Sequence, residues 1–206
     1  MFLWLARILC FIPLNILHPT IIKGRKNMPK GKAIVACNHI SNWDMVMYYL
    51  NIPQRMKILA KKEIFKNKFF GMLMRWLGGV PIDRDSNDIN AIKTCMKALK
   101  ENKKLFIFPE GTRLKDESKI LGEIKSGMAM IAIKTKTAIV PMWVKKHKLF
   151  RFSRYYMGEP FELSEFYGTK LDEETLNKAN EVVRNKLLEV REQAYAKKQK
   201  DKKKKK

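Results

Sequence analysis

Short apolar runs alternate with longer stretches of mixed character along the chain, from about residue 20 onward. Each short run has the usual length of a buried β-strand. The predicted strands lie at 20–23, 33–38, 57–60, 104–108 and 138–144, with a late one near 154–158. Alternation of such strands with helical stretches indicates an α/β fold around a largely parallel sheet.

Four of the intervening stretches are predicted to be α-helices, and three of them carry their apolar residues on one side at helical spacing. In the first of them, Trp43, Val46 and Leu50 form one stripe. The third stretch is apolar all round, which is typical of a helix that is buried on every side. The predicted helices are 41–50, 87–100, 126–134 and 172–195. We therefore expect one domain in which a mixed, largely parallel sheet is flanked by helices.

The N-terminus is apolar but interrupted, with Arg7 and Pro13 among the breaks. Its longest uncharged apolar run, 8–14, is far short of the roughly 20 residues that a membrane-spanning helix needs. A secretion signal is not expected, because no basic region precedes the run and no small-residue cleavage site follows it. A helix here would be apolar on most sides, with Trp4 suited to a lipid interface. We expect residues 1–19 to form an apolar helix on a membrane surface; packing on the protein's own core is the alternative.

The net charge of +23 calls for an acidic partner, such as nucleic acid, an anionic lipid or an acidic protein. Eight lysines and one aspartate occupy residues 197–206, so the chain without that tail still carries +16. An apolar content of 46% argues against a disordered basic protein. We expect a membrane anchor at 1–19, one domain at 20–195 and a lysine-rich disordered tail at 196–206.

The three cysteines and three histidines are scattered and share no metal-binding spacing, so no metal site is expected from them. We expect the cysteines to be reduced, as in a cytoplasmic protein. Cys37 lies two positions before His39 and could be taken for a nucleophile. A strand residue at that position is expected to point away from the site, so we interpret Cys37 as a core residue.

An imidazole stands five positions before a carboxylate in segment 38–44, which directly follows the apolar run 33–37. A reaction in which a hydroxyl group attacks another molecule needs a base for the hydroxyl proton, and neutral histidine is the usual base near pH 7. A carboxylate bonded to one ring nitrogen would hold the tautomer and stabilise the imidazolium. His39 and Asp44 are therefore the candidate catalytic pair. The spacing also fits a helix start with Ser41 as N-cap, and both interpretations can hold together.

A second apolar run, 105–108, ends in segment 109–113, which reads PEGTR. Gly111 permits a tight turn, and the planar guanidinium of Arg113 suits a phosphate group. Glu110 could hold that arginine or accept a hydrogen bond from a substrate hydroxyl. By itself the segment could also be an ordinary strand exit with a surface ion pair. Because sites of open α/β sheets form beyond the carboxyl ends of strands, both segments could belong to one site.

Segments 38–44 and 108–113 resemble the NHxSxxD and FPEGTR boxes of the glycerolipid acyltransferase family, and both boxes are complete. Segment 78–84, which reads GGVPIDR, resembles the second motif of that family, and segment 139–142 resembles the fourth. The four motifs occur in the order that the family shows. On these motifs the chain is identified as a member of the glycerolipid acyltransferase family.

The resemblance implies a 1-acyl-glycerol-3-phosphate acyltransferase that makes phosphatidic acid from an acyl thioester of acyl carrier protein or coenzyme A. It implies that His39 is the general base and that Asp44 orients it. It also implies that neither a metal nor another cofactor is needed. The substrate-binding residues that it implies are Arg84, Glu110, Gly111, Thr112, Arg113 and Lys125.

The implied partners are an anionic membrane surface, a lysophospholipid acceptor and the acyl donor, for which an acidic acyl carrier protein is one candidate. We expect a peripheral or monotopic protein at the cytoplasmic face of the cell membrane. Stretch 61–77 mixes lysines with large apolar residues and could contact the membrane or line a groove for the acyl chain. An amphipathic helix with solvated lysines is the alternative for that stretch.

Other functions are also compatible with the chain. The acceptor could be another lysophospholipid, or water could replace it and make the enzyme a hydrolase. A basic non-enzymatic protein could bind nucleic acid or an anionic membrane through its lysines. No zinc-finger spacing, aromatic RNA-binding strand or helix-turn-helix signature occurs in the sequence, so nucleic acid is not expected as a partner.

Overall fold

A computed structural model describes residues 11–41, 43–52, 56–83, 88–114, 120–145, 150 and 152–203. The strands of this part are β1 (Thr20–Lys23), β2 (Ala33–Cys37), β3 (Met56–Lys61), β4 (Gly79–Ile82), β5 (Lys104–Ile107), β6 (Ile139–Val144) and β7 (Ser153–Met157). Its helices are α1 (Trp43–Asn51), α2 (Lys68–Trp76), α3 (Ile89–Lys100), α4 (Ser126–Thr135) and α5 (Glu173–Lys203). Short 3-10 helices lie at Arg25–Asn27, Lys62–Lys66 and Ser164–Phe166, and residues 11–17 are helical.

The strands form one sheet in the order β1-β7-β6-β2-β5-β3-β4. Neighbouring strands are parallel, apart from β6 and β7, which pair antiparallel. The predicted mixed, largely parallel sheet with flanking helices is therefore confirmed. Each predicted strand agrees with an observed one to within one residue at either end. Helix α5 continues to Lys203, past its predicted end at 195.

The sequence did not predict β4, which lies at one edge of the sheet. Its residues read GVPI after another glycine, and glycine and proline usually mark turns. Pro81 is tolerated because an edge strand pairs on only one side. Gly78 leads the chain into the strand at a φ of 85°, and a Cβ added there would lie 2.4 Å from the carbonyl oxygen of Met56. The close approach and the positive φ both require glycine at this position.

Helices cover both faces of the sheet, and strand residues alternate between the two. Ile34 and Ala36 of β2 belong to one buried cluster together with α3, α4 and α5. Val35 and Cys37 belong to the cluster on the other face, where α1 packs. Helix α4 lies between α3 and α5, and most of its side chains are buried, as its apolar sequence predicted.

One edge of the sheet brings together segments that are distant in the sequence. Strands β2 to β6 all end there, and we call it the carboxyl edge. Because β1 and β7 run in the opposite direction, they begin at this edge. Residues 11–17 precede β1 and therefore lie near it. The N–H of Phe150 donates to the carbonyl oxygen of Leu17 at 2.8 Å, which ties this segment to the start of β7.

The N-terminal helical residues pack partly on the domain. Nδ2 of Asn51 in α1 donates to Oδ1 of Asn15 at 3.2 Å, and Leu14 packs against the core beside α1. The exposed apolar side chains of this segment are those of Phe11, Ile12, Ile16 and Leu17. Within the described residues, no helix combines the length and the apolar character needed to cross a membrane. Residues 1–10 lie outside the described part, and the membrane-surface helix stays a prediction.

Candidate active site

His39 and Asp44 lie where β2 ends and the chain turns into α1. Nδ1 of His39 is 3.1 Å from Oδ2 of Asp44. Because an ionised carboxylate can only accept a hydrogen bond, Nδ1 donates and Nε2 carries the free lone pair. The His39 side chain is 12% exposed, and that of Asp44 is fully buried. The structure therefore brings the two predicted catalytic residues into contact.

Backbone groups at the start of α1 hold the carboxylate of Asp44. Its Oδ2 accepts from the N–H groups of Ile40 at 2.8 Å and Ser41 at 2.7 Å. Oγ of Ser41 accepts from the N–H of Trp43 at 3.2 Å, so Ser41 also supports the helix start, as the alternative interpretation expected. The backbone donors and the positive end of the helix offset the cost of burying the charge. A carboxylate held in this way keeps the imidazole of His39 in one orientation.

The segment after β5 holds the peptide of His39 at both of its polar groups. Oε1 of Glu110 accepts from the N–H of His39 at 2.8 Å, and the N–H of Leu114 donates to the carbonyl oxygen of His39 at 3.0 Å. The ring of Phe108 stacks on the imidazole, with centroids 3.8 Å apart and planes inclined by 15°. These contacts are possible because β2 and β5 are parallel neighbours and leave the sheet side by side.

Glu110 is buried, and both of its carboxylate oxygens accept hydrogen bonds from backbone amides. Oε2 accepts from the N–H of Gly122 at 2.8 Å, so the side chain connects His39 to the loop before α4. Burial raises the pKa of Glu110, although the hydrogen bonds from His39 and Gly122 oppose that shift. The sequence left two roles open for Glu110, which were to hold Arg113 or to accept a hydrogen bond from a substrate hydroxyl. In the structure its carboxylate joins two loops, and its role toward the substrate stays a prediction.

Two of the remaining predicted site residues, Gly111 and Lys125, lie at the start of α4. Gly111 has a φ of 67°, and a Cβ added there would lie 3.4 Å from Cγ of Lys125. The N–H of Lys125 donates to the carbonyl oxygen of Pro109 at 2.8 Å, and α4 begins at the next residue. Thr112 and Arg113 are exposed. Gly111 and Lys125 therefore lie at a helix N-terminus, where negative charge is favoured.

Arg84 lies outside the described residues, so its place in the site stays a prediction. Strand β4 ends at Ile82, and the chain leaves the sheet at the carboxyl edge just before Arg84. Lys125 is within the site region, but its Nζ lies 3.3 Å from Oε2 of Glu123 in an exposed ion pair. Such a pair contributes little free energy, so an anionic ligand can compete for the lysine.

Cys37 is fully buried in the core on the face that α1 covers. Burial raises the pKa of its thiol, and the charges of Asp44 and Glu110 raise it further. A thiol that stays protonated is a poor nucleophile. These observations favour the interpretation of Cys37 as a core residue.

Three residues with clear positions at the site were given no role from the sequence. Asn38 accepts from the N–H of Val144 at 2.7 Å and donates to its carbonyl oxygen at 3.1 Å, which extends the contact between β2 and β6. The hydroxyl of Tyr155 donates to the carbonyl oxygen of Asp44 at 2.8 Å. Phe108 stacks on His39 as described. Only the family motif could have drawn attention to Asn38 and Phe108, because their partners are distant in the sequence.

Known proteins resemble this chain over much of its length. A family model described as Acyltransferase matches residues 20–145. A chloroplastic 1-acyl-sn-glycerol-3-phosphate acyltransferase of Arabidopsis thaliana is 32% identical over 143 residues, which cover 68% of this chain and 39% of that protein. The 1-acyl-sn-glycerol-3-phosphate acyltransferase of Bacillus subtilis is 30% identical over 154 residues, which cover 70% of this chain and 75% of that protein. The match thus spans less than half of the first relative and three quarters of the second.

A solved structure shares the fold. It is the crystal structure of the 1-acyl-sn-glycerophosphate acyltransferase PlsC from Thermotoga maritima, which matches with a TM-score of 0.65 at 25% sequence identity. The match covers 90% of this chain and 76% of that one. Because the family model covers more than half of the sequence and the relatives and the fold agree with it, this chain belongs to the glycerolipid acyltransferase family.

Proposed function

We propose that this protein transfers a fatty acyl group from a thioester to the free hydroxyl of 1-acyl-glycerol-3-phosphate, which gives phosphatidic acid. The observation that carries the proposal is the 3.1 Å contact between His39 Nδ1 and the buried carboxylate of Asp44. The relatives support the choice of acceptor, because they are 1-acyl-sn-glycerol-3-phosphate acyltransferases.

In the proposed step, Nε2 of His39 takes the proton of the acceptor hydroxyl while the hydroxyl oxygen attacks the carbonyl carbon of the thioester. The carbon–sulfur bond then breaks, and the departing thiolate receives the proton from the imidazolium. While the imidazole carries this proton, Asp44 stabilises the imidazolium through the hydrogen bond from Nδ1. The acceptor supplies the nucleophile, so the step needs neither a serine nor a cysteine, and the thioester is a co-substrate rather than a cofactor.

Three contacts of His39 give the base a defined position for this step. Glu110 and Leu114 bond to its peptide, and the ring of Phe108 lies against its imidazole. A base must lie within hydrogen-bond reach of the proton that it removes, and a small displacement of the ring lowers the rate. We assign Glu110 and Phe108 as positioning residues, because they act on the substrate through His39.

The phosphate of the acceptor carries a charge of about −1.5 to −2 near neutral pH and needs donors on several sides. We propose that Arg113, Lys125 and the backbone around Gly111 and Thr112 bind it, with Arg84 as a further contact. The exposure of Thr112 and Arg113 leaves them accessible to a ligand, and Gly111 lies beside Lys125. Arginine is well suited here because its two parallel donors match two phosphate oxygens.

We propose a peripheral position at the cytoplasmic face of the membrane, with residues 1–19 as the anchor. The acceptor is a lipid, whereas both acyl carrier protein and coenzyme A thioesters are soluble and anionic. A net charge of +23 suits an anionic bilayer and an anionic donor alike. The exposed apolar side chains of residues 11–17 lie near the carboxyl edge, where His39 also lies.

An acyl-transfer assay on vesicles tests the proposed function. The protein is mixed with lysophosphatidic acid in vesicles and with a labelled acyl thioester, and both the thiol released and the lipids formed are followed. We expect one phosphatidic acid for each thiol. Thiol release with free fatty acid as the product would indicate hydrolysis, and an equal rate with other lysophospholipids would contradict the proposed acceptor.

A further inference from the structure

Helix α2 carries large apolar side chains on its outer side. Phe69, Met72 and Trp76 are separated by three and four positions and therefore share one side of the helix. All three are exposed, and Phe69 is the most exposed of them at 65%. Phe70 and Ile64 add further exposed apolar surface next to them. Contiguous exposed apolar surface of this kind usually marks a contact with a membrane or another macromolecule.

The packing of α2 explains why these side chains point outward. A Cβ on Gly71 would lie 2.6 Å from the carbonyl oxygen of Phe65, so this side of the helix is pressed against the preceding 3-10 turn. Met74 is buried on the inner side as well. Oδ1 of Asn67 accepts from the N–H groups of Phe69 and Phe70, both at 3.0 Å, which starts the helix in this orientation. The small and buried residues thus face the domain, and the aromatic residues face outward.

Basic side chains border the apolar ones. Lys66 and Lys68 are exposed beside the start of α2, and Arg75 is exposed near its end. The guanidinium of Arg75 lies 5.7 Å from the ring centroid of Phe65. An apolar helix side with a basic border is typical of helices that lie in a lipid interface and attract anionic headgroups. We call these exposed basic residues and the exposed apolar side chains of Ile64, Phe69, Phe70, Met72 and Trp76 the α2 surface.

The α2 surface begins at the edge of the sheet that holds the candidate catalytic pair. The 3-10 turn Lys62–Lys66 directly follows β3, and β3 ends at the carboxyl edge, as β2 does. His39 lies just beyond the end of β2. Contact between this surface and a bilayer would therefore bring the entrance of the site toward the lipid.

We propose that the α2 surface is a second membrane-docking surface, separate from the N-terminal segment, and that it binds bilayers containing anionic phospholipid. An acidic carrier protein would also be attracted by the lysines, but exposed aromatic side chains favour a lipid interface. A second copy of the chain is disfavoured because each copy carries a net charge of +23. This proposal rests on the proposed function in one respect, because both place a lipid acceptor at the carboxyl edge.

Vesicle binding without substrate or donor tests the α2 surface apart from catalysis. The full-length chain is sedimented with vesicles of equal parts phosphatidylcholine and phosphatidylglycerol. We expect Phe69→Ser with Trp76→Ser to weaken binding about tenfold or more at both low and high salt, because apolar burial is insensitive to salt. Lys66→Gln with Lys68→Gln should weaken binding roughly tenfold at low salt and hardly at all near 0.5 M salt.

A matched pair of substitutions on α3 controls for charge. Lys97→Gln with Lys100→Gln removes the same charge as the α2 pair, near the end of α3 that precedes β5 and therefore away from the carboxyl edge. We expect the Lys97, Lys100 pair to change vesicle binding less than twofold. A loss equal to that of the α2 variants would overturn the proposal.

A fluorophore at Met72 provides a direct readout of contact. Met72→Cys, in a chain with Cys10→Ser, is labelled with an environment-sensitive dye, and Thr94→Cys on α3 is labelled for comparison. We expect vesicles to shift the emission of the label at 72 to the blue and to leave that at 94 unchanged. The proposal would be overturned if vesicles leave the emission of the label at 72 unchanged. It would also be overturned if the α2 variants raise only the KM for an acyl carrier protein thioester, or if those variants only abolish self-association.

Discussion

Asp44 is the residue at which burial and charge conflict most strongly in the candidate site. Its side chain has no exposed surface, and an unpartnered carboxylate there would cost several kcal/mol. The amides of Ile40 and Ser41 and the imidazole of His39 all donate to the same oxygen, at 2.7 to 3.1 Å. The carboxylate is therefore both held in place by the start of α1 and available to stabilise a charged imidazole.

Replacing the proposed base should remove most of the activity and leave the fold intact. General-base catalysis contributes roughly 10²- to 10⁴-fold, so His39→Ala should lower kcat by about that factor. The measurement is thiol release on vesicles that contain lysophosphatidic acid, with vesicle sedimentation and a thermal melt as controls for binding and folding. Retention of a third of the wild-type rate would contradict the proposed role of His39.

Removing only the charge of the orienting carboxylate should also be severe. In Asp44→Asn the amide oxygen can still accept hydrogen bonds, but the neutral side chain cannot stabilise imidazolium. We therefore expect kcat to fall by a factor of hundreds or more, measured in the same assay. A variant that turns over normally would show that the 3.1 Å contact with His39 serves the structure alone.

The guanidinium of Arg113 gives a prediction about the acceptor. Arg113→Lys keeps the positive charge but loses the two parallel donors that match a phosphate. A charge-assisted hydrogen bond contributes about 1.5–3 kcal/mol, so the apparent KM for lysophosphatidic acid should rise roughly ten- to a hundredfold. Steady-state kinetics with an acceptor that lacks the terminal phosphate is the comparison. Equal losses with both acceptors would mean that Arg113 is structural.

At the scale of elements, the loops at the carboxyl edge depend on one another through Glu110. Glu110 lies in the segment after β5. Its carboxylate accepts one hydrogen bond from the segment after β2 and one from the loop before α4. A Cβ on Gly122 would lie 2.8 Å from Oε2 of Glu110, so this contact has no room for a larger residue. The position of His39 is therefore coupled to a loop that is more than eighty residues away.

Substitution at Gly122 tests this coupling. Gly122→Ala should displace the Glu110 carboxylate and lower the free energy of unfolding by about 1–3 kcal/mol. It should also lower kcat, because the amide of His39 loses its fixed partner. Chemical denaturation and the vesicle assay measure the two effects.

Gly127→Ala is the matched control for that substitution. A Cβ at Gly127 would have no heavy atom within 4 Å beyond its neighbours and its own helix, and the residue lies in the first turn of α4. Alanine in a helix is favoured over glycine by roughly 0.5–1 kcal/mol, so the control should be as stable as the wild type or more stable. Equal destabilisation by both substitutions would show that the space beside Glu110 is not what constrains Gly122.

At the scale of the whole molecule, basic and apolar groups collect at one edge. Nζ of Lys145, which follows β6, donates to the carbonyl oxygen of Ala194 at 2.6 Å, so α5 reaches the carboxyl edge before its lysine-rich sequence begins. Residues 11–17 and the start of β7 lie at this edge as well, with exposed Phe150 and Phe152. The segment 1–19 and the tail would then attach to the membrane by different forces, one apolar and one electrostatic.

Salt should separate these two attachments. Removing residues 197–206 should weaken vesicle binding at low salt, because each lysine near an anionic leaflet contributes about 1 kcal/mol at most and salt screens it. Ile12→Ser with Ile16→Ser should weaken the binding that persists near 0.5 M salt, because that part comes from buried apolar area. Both isoleucines are more than 60% exposed, so the contacts of Leu14 and Asn15 with the domain are kept.

Liposome flotation at low and high salt measures both effects. A thermal melt checks that each variant keeps the stability of the wild type. If the truncated protein is released at high salt while the Ile12, Ile16 variant stays bound, the anchor lies at the other end of the chain.

The sequence by itself determined the features that local patterns encode. Apolar runs and helical spacing predicted six strands to within one residue and placed α1, α3 and α4 closely, because side-chain periodicity follows from backbone geometry. The residue types of His39 and Asp44 and their place after a strand suggested a base and its orienting carboxylate, and the resemblance to the family motif made them the candidate pair. The family motifs added the choice of chemistry.

Only the tertiary structure decided what depends on contacts between distant segments. Strand β4 was missed because Gly78, Gly79 and Pro81 resemble a turn, and the strand forms only by pairing with β3. The bond from His39 to Glu110 spans 71 positions and exists because β2 and β5 are neighbours in the sheet. The outward direction of Phe69 and Trp76 likewise follows from the close packing of Gly71 on Phe65. A local pattern shows which residues share a side, whereas the rest of the molecule decides which side is buried.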